Sequence, residues 1–181
     1  MDAEGLVLAV LDAMPDREVR GKKRLQKLAF FAVQAGAPST ARFSLHNFGP
    51  FSPEIAGATD LLAFVGDISE SEAQFTQSKR FLKVYGLTEI SSVPEALPET
   101  SSRAIRALNE YSTIELEIAS TMLYFISQGN SPDDAIEATK ELKPEKSQPK
   151  IIQRAKEALL KVGLYERGRA NSLSGSRPHQ L

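Results

Sequence analysis

Six cations fall between positions 17 and 27: Arg17, Arg20, Lys22, Lys23, Arg24 and Lys27. Phosphate is the chemistry such a cluster suits, because neutralising phosphates releases counterions and needs no special geometry. Clustered at the start of a helix, these charges oppose its macrodipole at up to ~1 kcal/mol each, a cost that a nearby anion offsets. The competing reading leaves Arg20, Lys22 and Lys23 in a solvated loop, paired with Asp16 and Glu18. Lys79, Arg80 and Lys83 form a second basic group further along. Catalytic groups are scarce by comparison. There is no cysteine, and the only histidines are His46 and His179. Asp67, Glu70 and Glu72 fall on an expected exposed turn, and Asp133 and Asp134 follow a helix cap where the dipole welcomes them. A glycine-rich phosphate loop, a nucleophile elbow and a zinc-protease helix are all missing from the sequence. The expectation is therefore a non-enzyme with no cofactor and no metal site.

The elements that position these groups belong to an ordinary globular chain of 181 residues, 41% hydrophobic and 25% charged. No apolar run reaches the ~20 residues a membrane span needs. The segment LVLAVLDAM follows Asp2 and Glu4 rather than a basic stretch, so it is not read as a signal peptide. With no cysteine, these features point to a cytoplasmic protein with no membrane partner. Charge is distributed in blocks. Residues 16–50 carry seven basic and two acidic side chains, residues 51–78 five acids and no Lys or Arg, and residues 147–181 seven basic residues against two glutamates. Separated basic blocks suit an anionic partner if they converge on one face.

Leu6, Val7, Val10, Leu11 and Met14 predict a first helix over 2–14, ended by Pro15. A second opens near Gly21, runs through RLQKLAFFAVQAG and stops at Gly36 and Pro38. ARFSLHNF alternates as a short strand, with His46 on one face of it, and Gly49-Pro50 ends it. Ser52 as N-cap, Pro53 in the first turn and Glu54 then start a helix that carries Ile55, Ala58, Leu61, Leu62 and Val65. Gly66 closes it. Ile68 to Leu87 reads as a hairpin, and Phe30, Phe31, Phe43, Phe48, Phe51 and Phe64 as core. SSVPEALP, at 91–98, reads as a linker. Four helical stretches follow, the last with Ile151, Ile152, Ala155, Leu159 and Leu160 inward.

The fold class is thus mainly α with a small β component. A winged helix-turn-helix over 1–90 precedes the linker, a helical region over 99–165 packs on it, and 166–181 forms a disordered tail. GKKRLQKLAFF, followed by FSLHNFGPFSPEI, resembles the YwgA-like family of prokaryotic proteins, and the likeness continues in patches at TIELEIASTMLYFI and TKELKP. A more distant likeness is to the Panacea-type antitoxin domain. The first resemblance implies a winged helix with a helical region and brings no catalytic motif.

Two functions follow. In the first, the chain is a DNA-associated regulator that contacts duplex DNA phosphates through Arg20, Lys22, Lys23, Arg24 and Lys27, and through Lys79, Arg80 and Lys83 on the wing. It would act as a homodimer, since such domains meet two half-sites. The helix before the hairpin offers no Arg, Lys, Asn or Gln to base edges, so readout would be weakly specific. The second is an interaction module, antitoxin-like or defence-associated, that has lost DNA binding and holds a protein through that acidic helix or the C-terminal half.

Overall fold

Asp2 starts the chain's first helix by accepting a hydrogen bond from the Gly5 amide at 2.8 Å. This helix, α1 (Ala3–Ala13), is buried almost all round, from Gly5 to Leu11. The computed structural model describes residues 1–74 and 81–166. Packing divides the chain into two units, Met1–Glu110 and the part from Tyr111 onward.

In the first unit, α1 is followed by strand β1 (Glu18–Arg20), helix α2 (Lys22–Gln34), strands β2 (Ser44–His46) and β3 (Gly49–Phe51), and helix α3 (Pro53–Val65). Strands β4 (Ile68–Gln74) and β5 (Phe81–Leu87) come next, then helix α4 (Glu99–Ala107) with a 3-10 turn at Leu108–Glu110. One antiparallel sheet has the order β1-β5-β4, and a second consists of β2 and β3 alone. β1 was not expected. It has one apolar residue, Val19, buried between exposed Glu18 and Arg20, and gains its identity from pairing with β5, Val19 opposite Tyr85. Gly21 joins β1 to α2 at φ +100°, and a Cβ there would meet the Leu82 side chain at 3.1 Å.

The expected single strand at 41–48 is one arm of a hairpin. Ser44, Leu45 and His46 pair with Phe51, Pro50 and Gly49 across the two-residue turn Asn47-Phe48. Gly49 and Pro50 therefore make a strand of their own instead of ending one. The start of α3 is as expected: the Ser52 hydroxyl accepts from the Ile55 amide, Pro53 occupies the first turn, and Gly66 closes the helix at φ +86°. Its buried side comprises Ile55, Ala58, Thr59 and Leu62. Leu61, Val65 and Phe64 stand in solvent, 49%, 55% and 89% exposed. Phe48, also expected in the core, is half exposed at the hairpin turn, whereas Phe30 and Phe31 are buried and Phe43 stands edge-on to Phe30.

α4 belongs to this first unit, so the division falls beyond the expected linker. Ala104, Ile105 and Leu108 are buried, and the Arg106 guanidinium donates to the Ala13 carbonyl at 2.7 Å, satisfying an orphan group at the end of α1.

The second unit holds α5 (Thr113–Ser127), α6 (Pro132–Leu142) and α7 (Pro149–Lys161). α5 packs against both others and is buried from Leu116 to Leu123. Ser112 and Glu115 close a reciprocal capping box at its start. Ser131 and Pro132 open α6 as the sequence indicates. On α7 the buried residues are Ala155, Ala158 and Leu159, while Leu160 is half exposed. Within the unit, buried Glu117 accepts from buried Lys143 at 2.9 Å and from Lys146 at 2.8 Å. The tail expected from 166 lies, past Glu166, outside the described residues, as does His179. Among the described residues no helix is long and apolar enough to cross a membrane.

Candidate functional site

The segments RLQKL and GPFS meet in space. Gln26 and Lys27 lie one turn into α2, where surrounding positions are apolar and buried, and both are themselves buried. The Gln26 amide nitrogen donates to the Ser52 carbonyl, and the Ser52 N–H donates back to the Gln26 side-chain oxygen, both at 3.0 Å. Next to this pair the Lys27 ammonium, 2% exposed, donates to the Pro50 carbonyl at 2.6 Å. A polar side chain inside a helix core costs free energy unless satisfied, so these bonds account for two otherwise anomalous residues.

Between α2 and the β2–β3 hairpin lies a cavity of about 570 Å³. Lys22, Lys23, Gln26 and Lys27 form one wall; the four-residue spacing of Lys22 with Gln26 and of Lys23 with Lys27 makes two adjacent rows along the helix. The hairpin supplies Leu45, His46, Asn47, Phe48 and Phe51. The His46 ring rests on Phe51 with centroids 5.1 Å apart, a diagonal cross-strand contact, and Lys23 places its ammonium 3.3 Å from the Phe48 ring centre. None of the nine lining residues is an acid.

The expected phosphate contacts scatter around this frame. Lys22, Lys23 and Lys27 gather at the cavity. The Lys22 ammonium also pairs with Asp60 of α3 at 2.6 Å. Arg24 turns away, donating to the carbonyl and side-chain oxygens of Asn109 at 2.8 and 3.2 Å, and burial lowers its pKa. Arg20 is exposed on β1. Lys83, on β5, pairs with Glu70 of β4, and that bond holds its pKa above the ordinary lysine value, with the charges of Glu70, Asp60 and Glu72 adding to it. Lys79 and Arg80 lie outside the described residues.

Sequence reasoning missed the cavity residues Gln26, Leu45, Asn47, Phe48 and Phe51, and placed His46 on a strand face without a ligand-binding role. A usable signal was present: Gln26-Lys27 is a polar pair inside an apolar helix segment. Among the described residues no three His, Cys, Asp or Glu side chains come together as a metal ion would require.

A mainly helical chain with small antiparallel sheets is the class these elements define. It is similar to the uncharacterized protein YwgA of Bacillus subtilis (strain 168), at 27% identity over 111 residues. That alignment covers 60% of this chain and 66% of the relative, just under two thirds of its length. No family model and no solved structure matches the chain.

Proposed function

We propose that this chain is a non-catalytic regulatory protein of winged-helix type that docks a basic protein segment on the outer face of α3. The order α1, β1, α2, α3, β4, β5, with the β2–β3 hairpin inserted between α2 and α3 and β5 central in its sheet, supports the winged-helix reading, with the β4–β5 hairpin as wing. One observation carries the docking assignment: the outer face of α3 is apolar where a DNA-reading helix would be polar. Gly57, Leu61 and Phe64 follow one another at helical spacing, and Phe64 is 89% exposed. A Cβ on Gly57 would meet nothing within 4 Å, so the fold itself does not require a glycine there. A flat spot beside a large exposed aromatic suits the close approach of a partner's backbone.

The surrounding charge selects the partner. Glu54 and Asp60 are exposed on α3, and Glu70 and Glu72 on β4. Two cations expected to meet phosphates, Lys22 and Lys83, are paired with Asp60 and Glu70. A polyanion is repelled by this surface, and a second copy docking through the same face would bring like charges together. A basic segment with an apolar ridge is complementary. The DNA reading rests on the wing topology and on exposed Arg20 and Lys23, which would support salt-sensitive, sequence-independent contact.

The test compares the wild type with Leu61→Ser/Phe64→Ser and with Lys22→Glu/Lys23→Glu. A protein captured by the wild type and not by the α3 variant is purified and titrated by calorimetry. Binding should weaken about ten-fold or more in the α3 variant and fall with added salt. Binding of random duplex DNA at low salt, abolished by the lysine reversals and untouched by the α3 changes, would replace protein docking with DNA contact.

A further inference from the structure

The lining of the cavity between α2 and the β2–β3 hairpin includes no residue of α3, and it touches the docking surface only through the Lys22–Asp60 pair. We propose that this cavity is a binding site for a nucleoside monophosphate, its phosphate set against the lysines of α2 and its base against the aromatic wall of the hairpin. Its volume of about 570 Å³ lies within the ~300–1,000 Å³ of small-molecule sites.

Charge specifies the anionic end. Lys22, Lys23 and Lys27 line one wall, and the lining contains neither a carboxylate nor an arginine. Asp60 neutralises Lys22 from outside the lining, so the positive charge of the wall rests on Lys23 and Lys27. Lysine presents a compact point charge suited to phosphate oxygens, whereas a site built for a lone carboxylate more often uses the planar arginine fork. The opposite wall specifies the other end. Phe48, Phe51 and the His46 ring tilted against Phe51 are aromatic surfaces of the kind on which nucleobases stack, and Leu45 adds apolar area.

The site is also preorganised. The hairpin is clamped to α2 by the two Gln26–Ser52 bonds and by the Lys27–Pro50 bond, so neither wall must be assembled when ligand arrives. Occupancy would be felt beyond the cavity, because Phe51 directly precedes Ser52, the residue that caps α3.

The experiment titrates the full chain with AMP, GMP, CMP and UMP, and separately with adenosine, inorganic phosphate and benzoate, followed by calorimetry and by histidine and aromatic NMR signals. At least one nucleotide should bind with Kd well below about 1 mM, and about ten-fold or more tighter than adenosine or phosphate alone. Lys23→Gln and Phe48→Ala, both at exposed positions, should each weaken it about ten-fold with little change in the thermal midpoint. The proposal is overturned if no nucleotide binds below that concentration, or if phosphate alone binds as tightly. It also fails if benzoate binds and nucleotides do not, or if neither substitution matters. None of these readouts involves a protein partner, so failure here leaves the α3 docking reading standing.

Discussion

Gln26 and Ser52 bond to each other twice, side-chain amide against backbone amide, in the geometry one strand offers another. One glutamine thereby ties the middle of α2 to the residue that caps α3. Replacing it with Leu, close in size, would leave the buried Ser52 N–H and carbonyl without these partners. A loss of about 2–4 kcal/mol in unfolding free energy is expected, measured by urea denaturation. A loss under about 0.5 kcal/mol would mean that water enters and satisfies both groups.

Gly57 offers a test in the opposite direction. It sits mid-helix in α3 with open space where a Cβ would go. Gly57→Ala should stabilise the chain by about 0.5–1 kcal/mol, read as a raised thermal midpoint. The same substitution should weaken docking on α3 if a partner backbone approaches there. Stability and binding moving in opposite directions is the expected signature.

Glu117 gives the second unit its acid sensitivity. Burial pushes its carboxyl up, but hydrogen bonds from Lys146 and Lys143 outweigh that and hold its pKa below the ordinary 4.5. A carboxylate depressed in the folded state contributes stability that is present above the unfolded value and lost as pH falls through the folded one. Unfolding monitored below pH 4.5 should therefore show a component absent from Glu117→Gln. At neutral pH that variant removes the negative charge set against the Lys143 ammonium, 3% exposed, and should cost about 3 kcal/mol. Glu117→Leu/Lys143→Met should recover most of the loss, since Lys146 can turn to water.

Tyr85 makes the alkaline counterpart. Burial first, then the charges of Glu70 and Asp60, push its hydroxyl from 10.0 up to about 12. For a folded pKa raised above the unfolded one, stability is intact below pH 10 and lost as pH rises toward 12. About 2–3 kcal/mol should disappear across that window. Tyr85→Phe should flatten this part of the profile, and phenolate absorbance should report one late-titrating tyrosine.

Local chemistry was the legible part of this fold. Ser52-Pro53-Glu54 announces a helix start because its capping groups lie within four residues, and Ser131-Pro132 does so for the same reason. β1 was hidden because three residues with one valine carry no periodicity; its partner β5 lies more than 60 positions away. The exposed face of α3 was misread because helical spacing marks apolar positions without saying which have a neighbour to cover them. The cavity was half legible. Lys22, Lys23 and Lys27 stood out as cations, yet nothing local indicates that a hairpin turn folds over them. Nor does anything local show that Glu117, in TIELEIASTMLYFI, reaches Lys143, in TKELKP just past α6.

The bond from Arg106 to the Ala13 carbonyl spans 93 positions. During synthesis α1, apolar nearly all round, leaves the ribosome long before the residue that completes its C-terminal end. At ~5–20 residues per second, roughly 5–20 s separate the two. Elements up to β5 can pack on α1 in that interval, but the Ala13 carbonyl waits for its partner and α4 is still missing from the helix's cover. A fragment stopped near residue 90 would lack both permanently, so the shortest piece able to fold alone should reach Glu110.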